Sequence, residues 1–443
     1  MERTKIKDLK EKVGERVLLK GWIDTRRDHG KLIFIDLRDS TGKVQMVVLP
    51  NHEGAKRAAE ESRSEWVIEV EGTVNKRPEK MVNPDEENGG LEVEAEKINT
   101  LSKAKELPFE KDEEVNIDTE LDYRPLTLRK EKNKAIFKIQ AAIVKAFRDF
   151  LIKEDFTEIQ APKLVGSDAE GGGNVFQVEY FKDKKAYLAT SPQLYKEIMV
   201  GVFERVFAVG DVFRAEKHST SRHVNEYTSL DIEYGFIKDH TDIMKLESKL
   251  LAYVFKYIGK TCQKELKIMN ADLPAVPDKI PAMKLREAQK VIKKETGADK
   301  TGEPDLDPED ERFMCEYAKK EFGSDFIFIT HYPVSKRPFY TFEDEDDPGY
   351  TKSFDLLFRG IEITTGGQRI HDYDMVVKAI EKKGLKPESF SFYLQAFKYG
   401  MPPHGGFGMG LERLTAKILG LENVKEAVLF PREMNRIDTL LSQ

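Results

Sequence analysis

The sequence predicts an N-terminal all-β barrel followed by a larger α+β domain built around an antiparallel sheet. Three observations lead to this prediction. The chain has 443 residues, which is too long for one ordinary hydrophobic core. Short strand-like runs separated by Gly, Asp or Asn fill residues 16–100. Beyond residue 128, strands and helices alternate without the regular β-α-β repeat of a doubly wound parallel sheet.

Composition narrows the class of protein. The formal net charge of -7 argues against a nucleic-acid binder that works by bulk positive charge, and we expect no DNA partner. The two cysteines, Cys262 and Cys315, lie far apart, so neither a disulfide framework nor a zinc site is predicted. The N-terminus lacks a signal-peptide pattern and no apolar run is long enough to span a bilayer. We expect a cytoplasmic protein that does not contact membranes.

The first domain is predicted over residues 1–105. Its strand-like runs are "RVLLKGWID", "LIFIDLRD", "KVQMVVL", "WVIEVEGTV" and "LEVEAEKI", with a helical stretch, "EGAKRAAEESRS", after the third. Five strands interrupted by one helix are typical of an OB-fold, a barrel whose face often binds single-stranded nucleic acid. Other small barrels share this pattern.

Residues 106–128 are charged and contain proline, which is typical of a hinge, and the second domain is predicted over 129–443. That domain begins with "NKAIFKIQAAIVKAFRDFLIKEDF", whose apolar residues have helical spacing, followed by a strand that Pro162 interrupts. Residues 295–312 and 343–349 are acidic and rich in turn residues, so we expect solvated loops there.

Three segments of the second domain concentrate groups suited to chemistry. Residues 213–234, "FRAEKHSTSRHVNEYTSLDIEY", predict two strands joined by a loop that carries both signs of charge. In residues 354–374, Glu362 and Thr365 precede two glycines, and such oxygen ligands suit Mg²⁺ bound to phosphates. In residues 399–420, glycines lead directly into a helix whose N-terminus and Arg413 are suited to an anion. A solvated hairpin for the first segment and a hairpin with a Gly-Gly turn for the second are the simpler alternatives.

Together the three segments resemble motifs 2 and 3 of the class II aminoacyl-tRNA synthetases, and the Pro162 region resembles motif 1. The set "FRAE", "RHVNE" and "GMGLERL" carries the resemblance, which runs in order over nearly the entire chain. The N-terminal barrel resembles the anticodon-binding domain of the aspartate, asparagine and lysine subgroup. The resemblance implies the class II synthetase fold, a homodimer with motif 1 at the interface, and Mg²⁺ as cofactor.

The resemblance also implies roles in ATP binding. It places Arg214 on the α-phosphate, Glu216 on the adenine amino group, and Tyr227 and Arg413 on the two faces of adenine. Arg214 and Glu362 are the implied catalytic residues, and Mg²⁺ is implied at Glu362 and Thr365 with help from Asp355. The complete implied ATP set is Arg214, Glu216, Arg222, His223, Tyr227, Glu362, Gly410 and Arg413.

The amino acid implied is aspartate, because the segment "SPQLYK" matches aspartyl enzymes, whereas asparaginyl enzymes usually carry a carboxylate in place of Lys196. An aspartate–tRNA ligase of the compact archaeal and eukaryotic type is therefore expected. Its partners would be ATP, L-aspartate and tRNA(Asp). The implied aspartate-binding residues are Glu170, Gln193, Lys196, Asp231, Thr365 and Arg369.

In the barrel, the resemblance implies that Phe34 stacks on an anticodon base and that Gln45 and Glu92 read its edge, with Arg26, Arg27 and Arg38 on phosphates. Core packing is the alternative for Phe34. Asp24 stands where related enzymes differ in tRNA choice, so charging of tRNA(Asn) as well as tRNA(Asp) stays open. An asparaginyl enzyme, or an RNA-binding relative without ligase activity, are the remaining alternatives; the second should lack Arg214, Glu362 or Arg413, and all three are present.

Overall fold

The computed structural model describes residues 1–84, 86–111, 113–166 and 174–441. Within these ranges the chain forms two compact units, Met1–Glu113 and Glu114–Gln443. No helix in the described ranges combines the length and the apolar character needed to cross a membrane.

The first unit is a closed barrel with strand order β1-β2-β3-β5-β4, in which only the β3–β5 pair is parallel. Its elements are β1 (Arg16–Asp28), β2 (Ile33–Arg38), β3 (Lys43–Val48), α1 (Glu53–Glu61), β4 (Val67–Lys76) and β5 (Leu91–Ser102). Alternate residues fill the interior: Ile33, Ile35 and Leu37 of β2 are each at most 1% exposed. The predicted five-stranded OB-type barrel with one helix after the third strand is confirmed.

The second unit carries the remaining elements. Its helices are α2 (Ile117–Asp122), α3 (Arg124–Thr127), α4 (Glu131–Lys153), α5 (Gln193–Phe203), α6 (His240–Thr261), α7 (Gln263–Met269), α8 (Leu285–Thr296), α9 (Pro308–Phe322), α10 (Tyr373–Lys382), α11 (Ser391–Lys398) and α12 (Leu411–Leu419). Its strands are β6 (Thr157–Glu158), β7 (Leu164–Val165), β8 (Gln177–Tyr180), β9 (Lys184–Leu188), β10 (Arg205–Phe213), β11 (Glu226–Gly235), β12 (Ala282–Lys284), β13 (Phe326–Thr330), β14 (Ser353–Phe358), β15 (Ile361–Gln368) and β16 (His404–Gly410).

An eight-stranded sheet of order β12-β13-β14-β15-β16-β11-β10-β6 forms the centre of this unit. It is antiparallel except at the two edge pairs, β12–β13 and β10–β6, which confirms the predicted α+β architecture. The sheet packs against α4, α6 and α12 through a core rich in Phe, Ile and Leu. A separate three-stranded sheet has the order β7-β9-β8, so the segments on the two sides of Pro162 belong to different sheets.

The Gly-Gly turn given above as an alternative is not observed, and part of one predicted loop is helical. Gly366 and Gly367 form no turn but lie inside β15, and the glycines of residues 405–410 form β16, which pairs with β15 and β11. Residues 308–312 are helical, because Asp307 caps α9 by accepting from the backbone N–H of residues 309 and 310, and Pro308 begins the helix. The acidic 343–349 segment is also partly ordered by ion pairs, since Asp347 Oδ2 lies 3.0 Å from Lys284 Nζ.

Candidate active site

A cavity of about 400 Å³ lies on the sheet of the second unit, where β11, β15 and β16 are neighbours. It gathers nearly all the residues that the sequence singled out in this unit. Lys196 is described but does not line the cavity, and Glu170 lies outside the described residues. The predicted residues that line it are Gln193, Arg214, Glu216, Arg222, His223, Tyr227, Asp231, Asp355, Glu362, Thr365, Arg369, Gly410 and Arg413.

The loop between β10 and β11 supplies one side of the cavity. Asn225 holds its two ends together by donating from its side chain to the carbonyl oxygens of Arg214 at 2.7 Å and Glu216 at 3.2 Å. The guanidinium of Arg214 lies 5.9 Å from the centre of the Tyr227 ring. An aromatic face and a cation therefore stand side by side, an arrangement suited to a nucleobase attached to an anion.

Cations dominate the next part of the cavity. Burial and the positive charge of Arg413 lower the pKa of His223, whose Nδ1 lies 2.8 Å from the Thr220 hydroxyl. The guanidinium of Arg222 contacts the carboxylate of Glu311, a residue of the segment that the sequence predicted to be a solvated loop. The positive field that disfavours a protonated imidazole also favours a bound polyanion.

Glu362 and Thr365 lie on β15 and share a hydrogen bond, in which the Thr365 hydroxyl donates to Glu362 Oε1 at 2.8 Å. Burial opposes the charge of Glu362, but Arg413, whose Nη1 lies 3.9 Å from Oε1, and this hydrogen bond outweigh it and lower the pKa of Glu362. An ionised carboxylate beside a neutral hydroxyl is a pair of hard oxygen ligands that fits Mg²⁺. The described residues contain no cluster of three or more His, Cys, Asp or Glu side chains arranged for a metal, so a cation here would need further oxygens from phosphate or water.

Asp355, on β14, faces Thr365 across the strand pair. Its Oδ1 lies 2.8 Å from Arg337 Nη2, and burial together with the negative charge of Glu362 raises its pKa to about 7. Arg337 and the pair of Lys336 with Asp305, whose charged atoms are 2.6 Å apart, also line the cavity. Arg337, Lys336 and Asp305 were not predicted from the sequence. Asp305 belongs to the acidic run of residues 295–312, whose composition is typical of a solvated loop.

A buried network of alternating charges borders the opposite end of the cavity: Asp231 and Arg369 line the cavity, whereas Lys196 and Glu233 do not. Lys196, on α5, is fully buried, and its Nζ lies 3.0 Å from Asp231 Oδ1 and 3.4 Å from Glu233 Oε2. Arg369 follows β15 and donates from Nε to Glu233 Oε1 at 3.0 Å and from Nη2 to the Gly406 carbonyl oxygen at 3.0 Å. Glu233 was not predicted, although its spacing of two from Asp231 places both side chains on one face of β11.

A second unpredicted carboxylate, Glu197, lies fully buried behind this network. It accepts from Gln193 Nε2 at 2.6 Å and from the Tyr393 hydroxyl at 2.7 Å, and His404 Nε2 lies 3.2 Å away. Burial opposes its charge, but His404 and the cation of Arg369 lower the pKa of Glu197. The Glu197 carboxylate holds the side chain of Gln193, which lines the cavity. His404 and Tyr393 are remote from Glu197 in sequence, so only the folded structure shows that they contact it.

In the barrel unit, Phe34 lies outside the core, because its neighbours Ile33 and Ile35 on β2 point inward and are buried. Gln45 and Glu92 are paired across β3 and β5. Arg27 donates to the Gln45 amide oxygen at 3.3 Å. The alternative that Phe34 serves core packing is therefore not supported.

The other predicted barrel residues are held in ion pairs. Asp24 contacts Lys111 and Arg38, with 3.2 Å to Arg38 Nε, and Arg38 also contacts Glu65. Arg38 is 6% exposed, so it does not present its charge at the surface as expected for a phosphate contact. Arg26 donates from Nε to the Ala59 carbonyl oxygen at 2.7 Å.

Comparison with known proteins shows the family of this chain. A family model described as tRNA synthetases class II (D, K and N) matches residues 116–434. The chain belongs to the class II tRNA synthetases. A model described as an OB-fold nucleic acid binding domain matches residues 17–101 of this synthetase. Membership makes the synthetase an aminoacyl-tRNA ligase and confirms the resemblance on which the sequence interpretation depends.

Relatives cover this synthetase from end to end. It is 49% identical to an aspartate–tRNA(Asp/Asn) ligase of Thermus thermophilus, over 98% of this chain and 99% of the relative. It is 40% identical to an aspartate–tRNA(Asp) ligase of Pyrococcus abyssi, over 96% of each. Among solved structures, an asparaginyl-tRNA synthetase of Pyrococcus horikoshii complexed with asparaginyl-adenylate is 34% identical, with a TM-score of 0.91 and 99% of each chain covered.

Proposed function

We propose that this synthetase activates L-aspartate with ATP to aspartyl-adenylate and transfers the aspartyl group to the 3′ end of tRNA(Asp). The observation that carries the proposal is one cavity whose aromatic and cationic end lies beside a buried network of Lys196, Arg369, Asp231 and Glu233. The full-length similarity to proteins named aspartate–tRNA ligases supports the same substrate.

The first step joins the α-carboxylate of aspartate to the α-phosphorus of ATP, with pyrophosphate as the leaving group. The nucleophile is already ionised, so no general base is required. The protein must instead reduce the repulsion between two anions and align them. Arg214 is suited to the α-phosphate and Arg222 with His223 to the far phosphates, while Tyr227 and Arg413 are suited to the two faces of adenine.

Aspartate presents two carboxylates and one ammonium, so its site needs cations for the side chain and an anion for the amine. Lys196 and Arg369 supply the cations, and Asp231 supplies a carboxylate at the cavity wall. An amide side chain would bring no negative charge to these two cations, which disfavours asparagine as the amino acid.

Mg²⁺ is the cofactor we propose, held by Glu362 and Thr365 with Asp355 nearby. When bound, it would neutralise charge on the phosphates of ATP. Glu362 supports this assignment because its pKa is lowered, so the oxygen that faces the cavity is ionised. The side chains of the site would bind and orient ATP and aspartate, and none of them has to exchange a proton during activation.

The barrel is proposed to read the anticodon through Phe34, Gln45, Glu92 and Asp24. A specific observation favours a second candidate function, charging of both tRNA(Asp) and tRNA(Asn): several full-length relatives, including the 49% identical one, are named Asp/Asn ligases. The homodimer and the cytoplasmic location remain predictions. The apolar residues of α4 pack in the core of its own chain, so an interface at motif 1 would have to use the other side of that helix.

The test is aminoacylation with radioactive aspartate on two purified transcripts, tRNA(Asp) and tRNA(Asn). Charging of tRNA(Asp) alone would show a discriminating enzyme, and charging of both would show the second function. Asparagine in place of aspartate is the control for the amino acid. Charging of neither transcript with aspartate would contradict the proposal.

A further inference from the structure

The ion pair between Arg222 and Glu311 joins a segment that lines the cavity to a helix whose Glu311 lies outside the cavity lining. Arg222 lies in the loop between β10 and β11 and lines the cavity, whereas Glu311 lies in the first turn of α9 and does not. Their side chains are only 21% and 13% exposed. A partly buried charge pair restricts both side chains far more than a surface pair does.

Glu311 is itself held in place by the strand that carries Glu362. Its Oε2, the same oxygen that contacts Arg222, accepts a hydrogen bond from the backbone N–H of Glu362 at 3.3 Å. Its position near the helix N-terminus also favours a carboxylate. Glu311 therefore connects the guanidinium of Arg222 to β15, a strand of the central sheet.

We propose that Glu311 is a positioning residue for ATP: it orients the guanidinium of Arg222 toward the phosphates without contacting them. The guanidinium has five N–H donors in a rigid fork, and the contact with Glu311 engages Nη2, so other donors remain to face an anion. Loss of this contact leaves a long side chain on an irregular loop to be ordered when ATP binds, which costs affinity. The inference rests on the proposed role of Arg222 in ATP binding.

The test is a double-mutant cycle of Glu311→Gln and Arg222→Ala, read by equilibrium binding of ATP and by aspartate-dependent ATP–pyrophosphate exchange. Glu311→Gln keeps the size of the side chain and an oxygen for the Glu362 N–H. We expect it to raise the Kd and KM for ATP about tenfold, the value of one charge-assisted hydrogen bond, with the KM for aspartate unchanged. In the Arg222→Ala background it should have no further effect. Glu309→Gln, an exposed change in the same helical turn, is the matched control.

Each other outcome overturns the inference. An equal loss in both backgrounds would mean that Glu311 acts through the fold and not through Arg222. Tighter ATP binding would mean that Glu311 competes with ATP for Arg222, and no change would mean that the pair has no role. Wild-type protein that binds ATP but shows no exchange with aspartate would contradict the proposed function instead, while the ATP-binding cycle would still test Glu311.

Discussion

Lys196 is the residue to which we attribute the choice of aspartate, and its charge is already paired in the folded chain. Its ammonium lies between Asp231 and Glu233, and it also donates to the Phe407 carbonyl oxygen at 3.1 Å. The side chain of aspartate must therefore join an existing network of charges. Such a network holds the cation in one geometry before the substrate arrives.

We expect Lys196→Met to abolish aspartate activation and to destabilise the fold. Removal of the cation leaves the buried carboxylate of Asp231 without its partner charge, while Glu233 keeps Arg369. The unfolding free energy should therefore fall by about 3–5 kcal/mol. Aspartate-dependent pyrophosphate exchange should fall at least about 100-fold. Lys249→Met, an exposed change on α6, is the control. Exchange at the wild-type rate would contradict the assignment of Lys196.

Glu247, on α6, is a buried carboxyl with no proposed role in the reaction. It is fully buried, and burial raises its pKa to about 8, although the hydroxyl of Thr364 favours the ionised form. Between its ordinary pKa of 4.5 and 8, the folded chain holds a proton that the unfolded chain has released. The unfolding free energy therefore falls with rising pH across this window.

Glu247→Gln should remove this dependence, because the amide is neutral at every pH. The stability of the variant relative to wild type should rise by up to about 1.4 kcal/mol per pH unit between pH 5 and 8. Urea titrations across that range measure the difference. A difference that is independent of pH would show that Glu247 ionises in the folded chain as it does in the unfolded one.

At the scale of the element, the glycines that precede α12 belong to β16, and the position of this strand in the sheet accounts for them. The strand lies between β11 and β15, and Gly406 lies against the buried Glu233 of β11. A Cβ at Gly406 would overlap the Ile232 carbonyl oxygen and approach Glu233 Oε2 to 2.5 Å. Glycine at 406 therefore allows the strand to lie close to a buried carboxylate.

Gly406→Ala should consequently destabilise the chain by about 3 kcal/mol and displace Glu233, since overpacking forces the backbone to move. The control is Gly201→Ala on α5, where a Cβ would meet only the Met401 side chain at 3.7 Å. Alanine is the better helix former, so the control should be neutral or slightly stabilising. Thermal unfolding of both variants gives the comparison, and equal melting temperatures would refute this explanation.

The segment 424–433 is a second element whose position matters. It holds the loop 214–225 through its backbone, since Asn225 N–H donates to the Arg432 carbonyl oxygen at 2.7 Å. Arg124, fully buried, donates to three carbonyl oxygens of this segment at 2.7, 2.9 and 3.0 Å. Residues far apart in sequence thus keep the loop that carries Arg214 and Arg222 in place.

At the scale of the whole molecule, the chain divides into units that each have a core of their own. The barrel buries Ile, Val and Leu of its five strands, and the larger unit buries a separate set of aromatic and aliphatic residues. All the cavity residues belong to the larger unit. The assignment of residues 1–105 to RNA binding and 129–443 to chemistry stays a prediction.

Residues 114–443 expressed alone should fold and keep aspartate-dependent pyrophosphate exchange, because activation requires only groups of this unit. Charging of tRNA(Asp) should fall sharply, since contacts of the barrel with the anticodon would be lost. Circular dichroism establishes folding, and exchange and charging assays on the same preparation separate the two steps. Full charging by the truncated chain would contradict the proposed role of the barrel.

The sequence by itself determined the barrel, the α+β unit and most of the cavity, because strand periodicity and motif residues are local signals. Arg214, Glu362 and Arg413 could be selected as cavity residues because each lies in a short, specific motif. Only the tertiary structure decided what each charge faces. Glu311 meets Arg222, Glu197 meets His404, and Asp24 is enclosed by cations, because electrostatic pairing depends on distances between strands and helices that are remote along the chain.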